Sequence, residues 1–259
     1  GIVGVGNVGS KVEAACKKMG MHVLLNDPPR EEREGNVNGM FTDLETLKHE
    51  ADIVTLHTPL TKTGKYKTWH LADERFFNEL NKKPVLINSC RGGVTDTKAW
   101  KKAIEEGLVS GSVIDCWENE PDIDTELLEM ADIATPHVAG YSADGKWTAT
   151  KMTLQNLCDF FHLDIDPVKL MPPIPAPDDP VIDVKNIDPQ RQTTHAVLHT
   201  YNPLKETEAL KKSPEKFYYF RSHYPLRREY KAYTVINADP VPANVLQQLG
   251  FNVEFLKND

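Results

Sequence analysis

At 259 residues the chain can hold one large domain or two modest ones, and its 40% apolar and 26% charged content is that of an ordinary globular protein. A net charge of −8 argues against a nucleic-acid surface, which needs clustered Lys and Arg, but leaves room for a locally positive pocket that takes a small anion. The longest apolar runs are far too short to cross a bilayer, and no signal peptide is evident.

The sequence opens without a methionine, at Gly1, already inside the reading of a first strand, Gly1 to Val5. It is therefore expected to be a fragment whose N-terminal part is missing. Asn7 to Met19 reads as a helix, with Val8, Val12, Ala15, Cys16 and Met19 on one stripe and Gly20 as its C-terminal stop. His22 to Asn26 reads as a second strand that ends at Asp27 and is stopped by Pro28 and Pro29. Helices are then expected at Leu44 to His49, Asp73 to Asn81 and Asp96 to Glu106, the last closed by Gly107, and a short one around Leu127 and Leu128. Strands are expected at Asp52 to His57, Pro84 to Asn88, Ser110 to Asp115 and Ile133 to Thr135. Apolar strands alternating with helices predict a doubly wound parallel Rossmann sheet, an α/β fold with helices on both faces.

Ser142 to His162 reads as one long helix, with Ala149, Met152, Leu154, Leu157 and Phe160 among its apolar positions. Pro167 through Pro180 has the composition of a semi-rigid linker. Beyond Asp188, strands at Ala196 to His199, Tyr233 to Asn237 and Phe251 to Leu256, with a helix at Pro242 to Leu249 closed by Gly250, predict a small α+β unit. The division that follows is residues 1–142, 143–165, 166–187 and 188–259.

Gly4, Gly6 and Gly9 form a glycine-rich turn with a strand before it, a helix after it and the acid Asp27 about 20 residues on. Such a turn lets a helix N-terminus face a pyrophosphate, and Asp27 can bind ribose hydroxyls, which favours NAD over NADP; Arg30 nearby weakens that preference. Thr58, in His57-Thr58-Pro59, sits at the end of the third strand reading, where a cofactor crevice would lie, and His57 beside it reads as packed or exposed. Arg91, after Ser89 and Cys90, can fork onto a carboxylate, and Cys90 reads as a small filler. Asp115 ends the fifth strand reading and can accept a hydrogen bond from a carboxamide. Glu118 and Glu120 follow it, and His137 ends the sixth. A cation to hold a carboxylate, an imidazole to take a hydroxyl proton and an acid to orient that imidazole suit hydride transfer on a 2-hydroxy acid. No metal site is expected, because Cys16, Cys90, Cys116 and Cys158 are scattered, and reduced thiols point to a cytoplasmic location.

The fingerprint, His57-Thr58-Pro59-Leu60, Asn88-Ser89-Cys90-Arg91-Gly92, the run from Asp115 to Pro121 and the run from Thr135 to Tyr141 resemble the D-isomer-specific 2-hydroxy acid dehydrogenases over roughly residues 1 to 165. The resemblance implies catalytic roles for Arg91, Glu120 and His137. It implies cofactor contacts from Gly4, Gly6, Asn7, Val8, Gly9, Asp27, Thr58, Ser89, Cys90, Arg91, Asp115 and Gly140, and substrate contacts from Tyr141 and Arg91. Asn26 to Arg30, Tyr66 to Glu74 and the extra C-terminal unit resemble the branch that oxidises 4-phosphoerythronate with NAD on the route to pyridoxal phosphate. That branch implies a homodimer formed through residues 188–259 and a helix 143–165 returning toward a substrate domain that this sequence lacks. Arg221, Arg227 and Arg228 are candidates for the substrate phosphate, though they read more readily as a solvated face. The alternatives are a relative acting on another D-2-hydroxy acid and a non-catalytic NAD-binding module.

Overall fold

The computed structural model describes residues 1–254 and divides into two compact units, one of residues 1–139 with 203–223 and one of residues 140–202 with those from 224 on. In chain order the first unit supplies β1 (Ile2–Val3), α1 (Asn7–Lys18), β2 (Leu25–Asn26), α2 (Pro28–Glu34), α3 (Leu44–Glu50), β3 (Ile53–Leu56) and α4 (Glu74–Asn78). It continues with β4 (Val85–Asn88), α5 (Thr97–Glu105), β5 (Gly111–Ile114), α6 (Thr125–Met130) and β6 (Ile133–Ala134). The second unit begins with α7 (Ala143–Phe161), β7 (Val181–Asp183) and α8 (Pro189–Thr200). The chain then returns to the first unit for α9 (Leu204–Lys212) and α10 (Phe217–Ser222), and finishes in the second with β8 (Thr234–Ile236), α11 (Pro240–Leu249) and β9 (Asn252–Glu254). Of the expected last strand, Phe255 and Leu256 lie outside the described residues.

In the first unit six parallel strands are ordered β2-β1-β3-β4-β5-β6 among the described residues. The winding reverses between β1 and β3, and the crevice outside the carboxyl ends of such neighbours is where α/β sheets bind ligands. The core lies between sheet and helices, where Phe77, Leu86 and Trp100 are fully buried and the Trp100 indole N–H donates to Ser112 Oγ at 3.0 Å. Helices α2 to α6 each start on an aspartate whose carboxylate accepts from a first-turn amide, through Asp27, Asp43, Asp73, Asp96 and Asp124. Each such cap contributes about 1 kcal/mol. Part of the acidic excess therefore serves local folding.

Several elements differ from their sequence reading. The pair Pro28-Pro29 ends β2 but also opens α2, because proline at the first helical positions lacks only an amide that would be unpaired anyway. The expected strand Ala196 to His199 lies inside α8, which Asp188 caps and Pro189 starts; Ala196 is buried while Leu198 is exposed, a helical rather than an alternating pattern. The span 166–187 is not linker throughout, since β7 pairs in parallel with β8 and alternates in burial about Ile182. The span 188–259 is not one domain. Residues 203–223 pack on the first unit, where α9 lies along β6 and Thr207 Oγ1 accepts from the edge amide of Ala134 at 3.0 Å.

In the second unit β7, β8 and β9 form a parallel sheet in that order, packed with α8 and α11 around Ile182, Val235 and Leu246. Asp144, in the first turn of α7, is 1% exposed and accepts from Arg228 Nε and from the Glu229 amide, both at 2.9 Å. Burial alone would raise its pKa, but the bonds from Arg228 and Glu229, with Lys231 beside them, outweigh that and bring the carboxyl down to about 2. Along α7 the expected apolar positions Met152, Leu157 and Phe160 are exposed. No helix among the described residues is long and apolar enough to cross a membrane.

Candidate active site

The glycine turn lies at the carboxyl end of β1, and its glycines are there because backbone fills the space a side chain would take. Gly4 has φ +90°, and a Cβ on it would come within 2.7 Å of the His57 carbonyl. A Cβ on Gly9 would sit 2.0 Å from the Gly4 carbonyl oxygen, so α1 packs on β1 only with glycine at that position. Gly6 instead has open space before it, and α1 carries neither a side-chain cap nor an acid in its first turn. Asn7 and Val8 begin that turn and are exposed. An anion fits such a cradle, because unpaired first-turn amides and the positive helix end face it. Asp27, at the end of β2, is half-buried and already accepts from Val5 N at 2.7 Å and Arg30 N at 3.0 Å. The Arg30 guanidinium donates to the Val5 carbonyl at 2.9 Å, which places a cation at the glycine turn.

Arg91, Glu120 and His137 border one open pocket of about 300 Å³. Glu120 faces His137 Nδ1 through Oε2 at 2.8 Å, and its Oε1 accepts from the Trp117 amide at 2.8 Å. That arrangement leaves Nε2 as the imidazole atom open to a ligand. His137 sits at φ +56°, a left-handed conformation that costs a residue with a side chain roughly 1 kcal/mol. Asp115 stabilises it: buried, it accepts from Thr135 Oγ1 at 2.6 Å, Val138 N at 2.7 Å and Ala139 N at 3.1 Å, and so holds the Thr135 side chain before the imidazole and the backbone after it. Asp115 thus has protein donors where a carboxamide was expected to bond. Cys116, next to it, is buried, and its Sγ lies within 4.8 Å of donor atoms of Glu120 and His137. Burial, and then Asp115 and Glu120, push this thiol far up, so it stays neutral.

Arg91 is exposed, and its Nη1 donates to the Cys90 carbonyl at 2.6 Å, which orients the guanidinium. The loop carrying it is shaped by Asn88, which sequence reasoning passed over. This fully buried amide donates to the carbonyls of Arg91 and Cys116 at 3.1 and 3.3 Å and accepts from Cys90 N at 3.1 Å. Ser89 is half-buried and Cys90 buried. Burial raises the Cys90 thiol, which neighbouring groups of Arg91 and Thr58 offset only in part. Thr58 is half-buried at the end of β3; His57 beside it has its pKa lowered by burial and pairs with Thr55 Oγ1. Glu118 is distinguished from Glu120 by its partners: it faces His70 Nε2 at 2.8 Å and accepts from Thr97 N and Oγ1 at 2.9 and 2.7 Å.

Gly140 and Tyr141 belong to the second unit, where Tyr141 meets Tyr224 edge to face and Lys146 lies 4.2 Å from its ring centroid. The arginines named for a phosphate are not one solvated face. Arg221 lies in α10 of the first unit, Arg227 stacks on Tyr201, and Arg228 is bonded to buried Asp144.

Residues 1–139 match the model of the D-isomer specific 2-hydroxyacid dehydrogenase NAD binding domain, and residues 174–250 that of a domain of unknown function. A Bacteroides thetaiotaomicron protein named erythronate-4-phosphate dehydrogenase is 52% identical over 236 residues, 91% of this chain and 65% of that protein. One of the same name from Porphyromonas gingivalis is 42% identical, over 97% of this chain and 67% of that protein. The chain thus spans about two thirds of the length of these curated relatives. A solved D-lactate dehydrogenase from Aquifex aeolicus, complexed with NAD and lactic acid, aligns with a TM-score of 0.53 and 29% identity over 65% of this chain and 54% of that one.

Proposed function

This chain belongs to the D-isomer specific 2-hydroxyacid dehydrogenase family, and on that footing we propose that it carries the NAD site and proton relay of an enzyme that oxidises 4-phosphoerythronate to its 2-oxo acid, a step toward pyridoxal phosphate. The observation that carries the reading is the contact of Glu120 with His137 Nδ1 at 2.8 Å beside Arg91 in one pocket. A module that only binds a nucleotide has no use for such a relay.

Bound at the crevice, NAD would accept the hydride. Gly6 leaves its pyrophosphate room, Gly4 and Gly9 let the turn and α1 pack closely behind it, and Asn7 and Val8 present first-turn amides to it. Asp27 is the acid at the ribose position, while Thr58, Ser89, Cys90, Asp115 and Gly140 complete the contacts that the family resemblance assigns. His137 takes the substrate hydroxyl proton on Nε2 as the 2-oxo group forms, and Glu120 stabilises the resulting imidazolium and fixes the ring. Arg91 holds the carboxylate and the developing carbonyl oxygen, and a substrate contact from Tyr141 is what the family resemblance assigns.

The proposal extends to a homodimer formed through the C-terminal unit and to a cytoplasmic location. The family resemblance supports the first, and the free state of Cys16, Cys90, Cys116 and Cys158 supports the second. The deciding experiment follows NADH formation at 340 nm by the complete protein with 4-phosphoerythronate, D-lactate, D-glycerate and 3-phospho-D-glycerate. A kcat/KM highest for 4-phosphoerythronate supports the reading. Preference for another acid replaces the substrate, and no NADH with any of them removes the enzymatic reading. Sedimentation of the intact protein settles the dimer.

A further inference from the structure

The relay of His137 and Glu120 makes no use of Trp69 or His70, yet Trp69 borders the same pocket as Arg91 and His137. The indole is held from several sides. Its backbone is fixed where Thr68 N and Trp69 N both donate to the Thr61 carbonyl, at 2.9 and 3.0 Å. Its edge rests on Gly93, where a Cβ would come within 2.5 Å of the ring. The imidazole of His70 stacks on it, with centroids 4.5 Å apart and an 18° tilt, and Lys62 Nζ lies 4.9 Å from the ring centroid.

His70 is itself clamped. Nε2 faces Glu118 at 2.8 Å, Nδ1 faces Asp96 at 3.2 Å, and the backbone N–H donates to the Gly93 carbonyl at 2.8 Å. An imidazole met by carboxylates at both nitrogens has little freedom to turn. It also sits at φ +51°, where a residue with a side chain stays only if its surroundings hold it. Glu118 and Glu120 are alternate residues of one loop, and each faces an imidazole, His70 and His137 respectively. One carboxylate orients the proton acceptor, and the other orients the ring behind the pocket wall.

We propose that Trp69 is a specificity-determining wall for the part of the substrate beyond the reacting carbon, and that His70, clamped between Glu118 and Asp96, is the positioning residue that keeps it in place. This rests on the dehydrogenase reading above. A flat, fixed indole beside Arg91 admits a narrow, unbranched chain and excludes a bulky substituent at the third carbon.

The experiment compares the complete wild-type protein with Trp69→Ala, Trp69→Phe, His70→Gln and the double variant Trp69→Ala/His70→Gln, with 4-phosphoerythronate and D-phenyllactate as substrates. Trp69→Ala should shift the ratio of kcat/KM toward D-phenyllactate by about tenfold or more, the scale of an apolar pocket contact. For 4-phosphoerythronate its KM should rise while kcat stays within about threefold, as for a lost binding contact. Trp69→Phe should fall between, and serves as the test if the alanine variant does not fold. His70→Gln should move KM in the same direction at unchanged NAD affinity, and the double variant should be no worse than Trp69→Ala alone. An unchanged ratio in a folded Trp69 variant, or a loss confined to kcat, overturns the proposal while the dehydrogenase reading stands. Additive effects in the double variant remove His70 from it. If the wild-type protein turns over neither acid nor any in the wider panel, the reading fails and the wall falls with it.

Discussion

Glu120 Oε2 lies 2.8 Å from His137 Nδ1, while Oε1 of the same carboxylate accepts from the Trp117 amide at 2.8 Å. One oxygen ties the acid to its own loop, and the other fixes the imidazole plane. The ring can therefore present only Nε2 to a substrate.

Replacing His137 by alanine in the complete protein should lower kcat by about 100- to 10,000-fold, the usual worth of a positioned general base. The NAD dissociation constant, read by NADH fluorescence or calorimetry, should stay within about twofold, because the glycine turn and Asp27 are untouched. Turnover close to that of the wild type would exclude His137 as the proton acceptor.

Glu120→Gln and Glu118→Gln separate two acids that look alike in the sequence. The first removes the charge that stabilises the imidazolium and should cost on the order of a hundredfold or more in kcat, by analogy with the acid of other acid–histidine relays. The second loses a capping contact to Thr97 and the partner of His70. It should appear as a lower melting temperature, by a stability change of about 1 kcal/mol, with kcat retained. A reversed pattern, measured by initial rates and thermal unfolding, would exchange the two assignments.

A methyl group at Gly9 has nowhere to go, since it meets the Gly4 carbonyl oxygen at 2.0 Å. Gly9→Ala should therefore destabilise the first unit by about 1–3 kcal/mol and push α1 off β1. Calorimetric titration should show NAD affinity falling with stability. Affinity unchanged in that variant would mean that the turn does not hold the pyrophosphate.

In the second unit Asp144 has a folded pKa of about 2 against an ordinary 3.8. The unfolded chain binds the proton first as pH falls, so this carboxylate contributes fully above about pH 4 and its contribution is lost between about pH 4 and pH 2. The shift corresponds to about 2 kcal/mol. Asp144→Asn should flatten that part of the acid-unfolding curve, followed by circular dichroism, and lower stability at neutral pH. An acid limb as steep as that of the wild type would show that Arg228 and Lys231 do not stabilise the charge.

Much of the first unit was legible because each buried parallel strand is an apolar run bounded by a capped helix, as at Val85–Asn88 and Thr97–Glu105. What was not legible depends on distant partners. Asp115 reads as an acid at a strand end, and its protein partners, the Thr135 hydroxyl and the Val138 and Ala139 amides, lie twenty or more residues on. Asn88 is an amide whose partners are mainly backbone atoms, and no spacing announces them. The run Ala196-Val197-Leu198 is a short apolar stretch that cannot be told from a helix segment by periodicity alone, yet the cap at Asp188 and the proline after it settle the helix before the run begins. Helices α9 and α10 carry no sign of which unit they will join, because that choice is made by Leu210 and Phe217 finding the larger core.

Since the polypeptide leaves the first unit at residue 139, rejoins it at 203 and departs again after 223, a single protease nick between the units would leave them covalently tied. Shortening the protein to end near Asp188 would also strip α9 from β6 and bare the amide of Ala134. An uncovered strand of this kind invites pairing with another molecule. Self-association of such a shortened form would then be an artefact of the cut, and only substitutions that spare residues 203–223 can report how the intact molecule assembles.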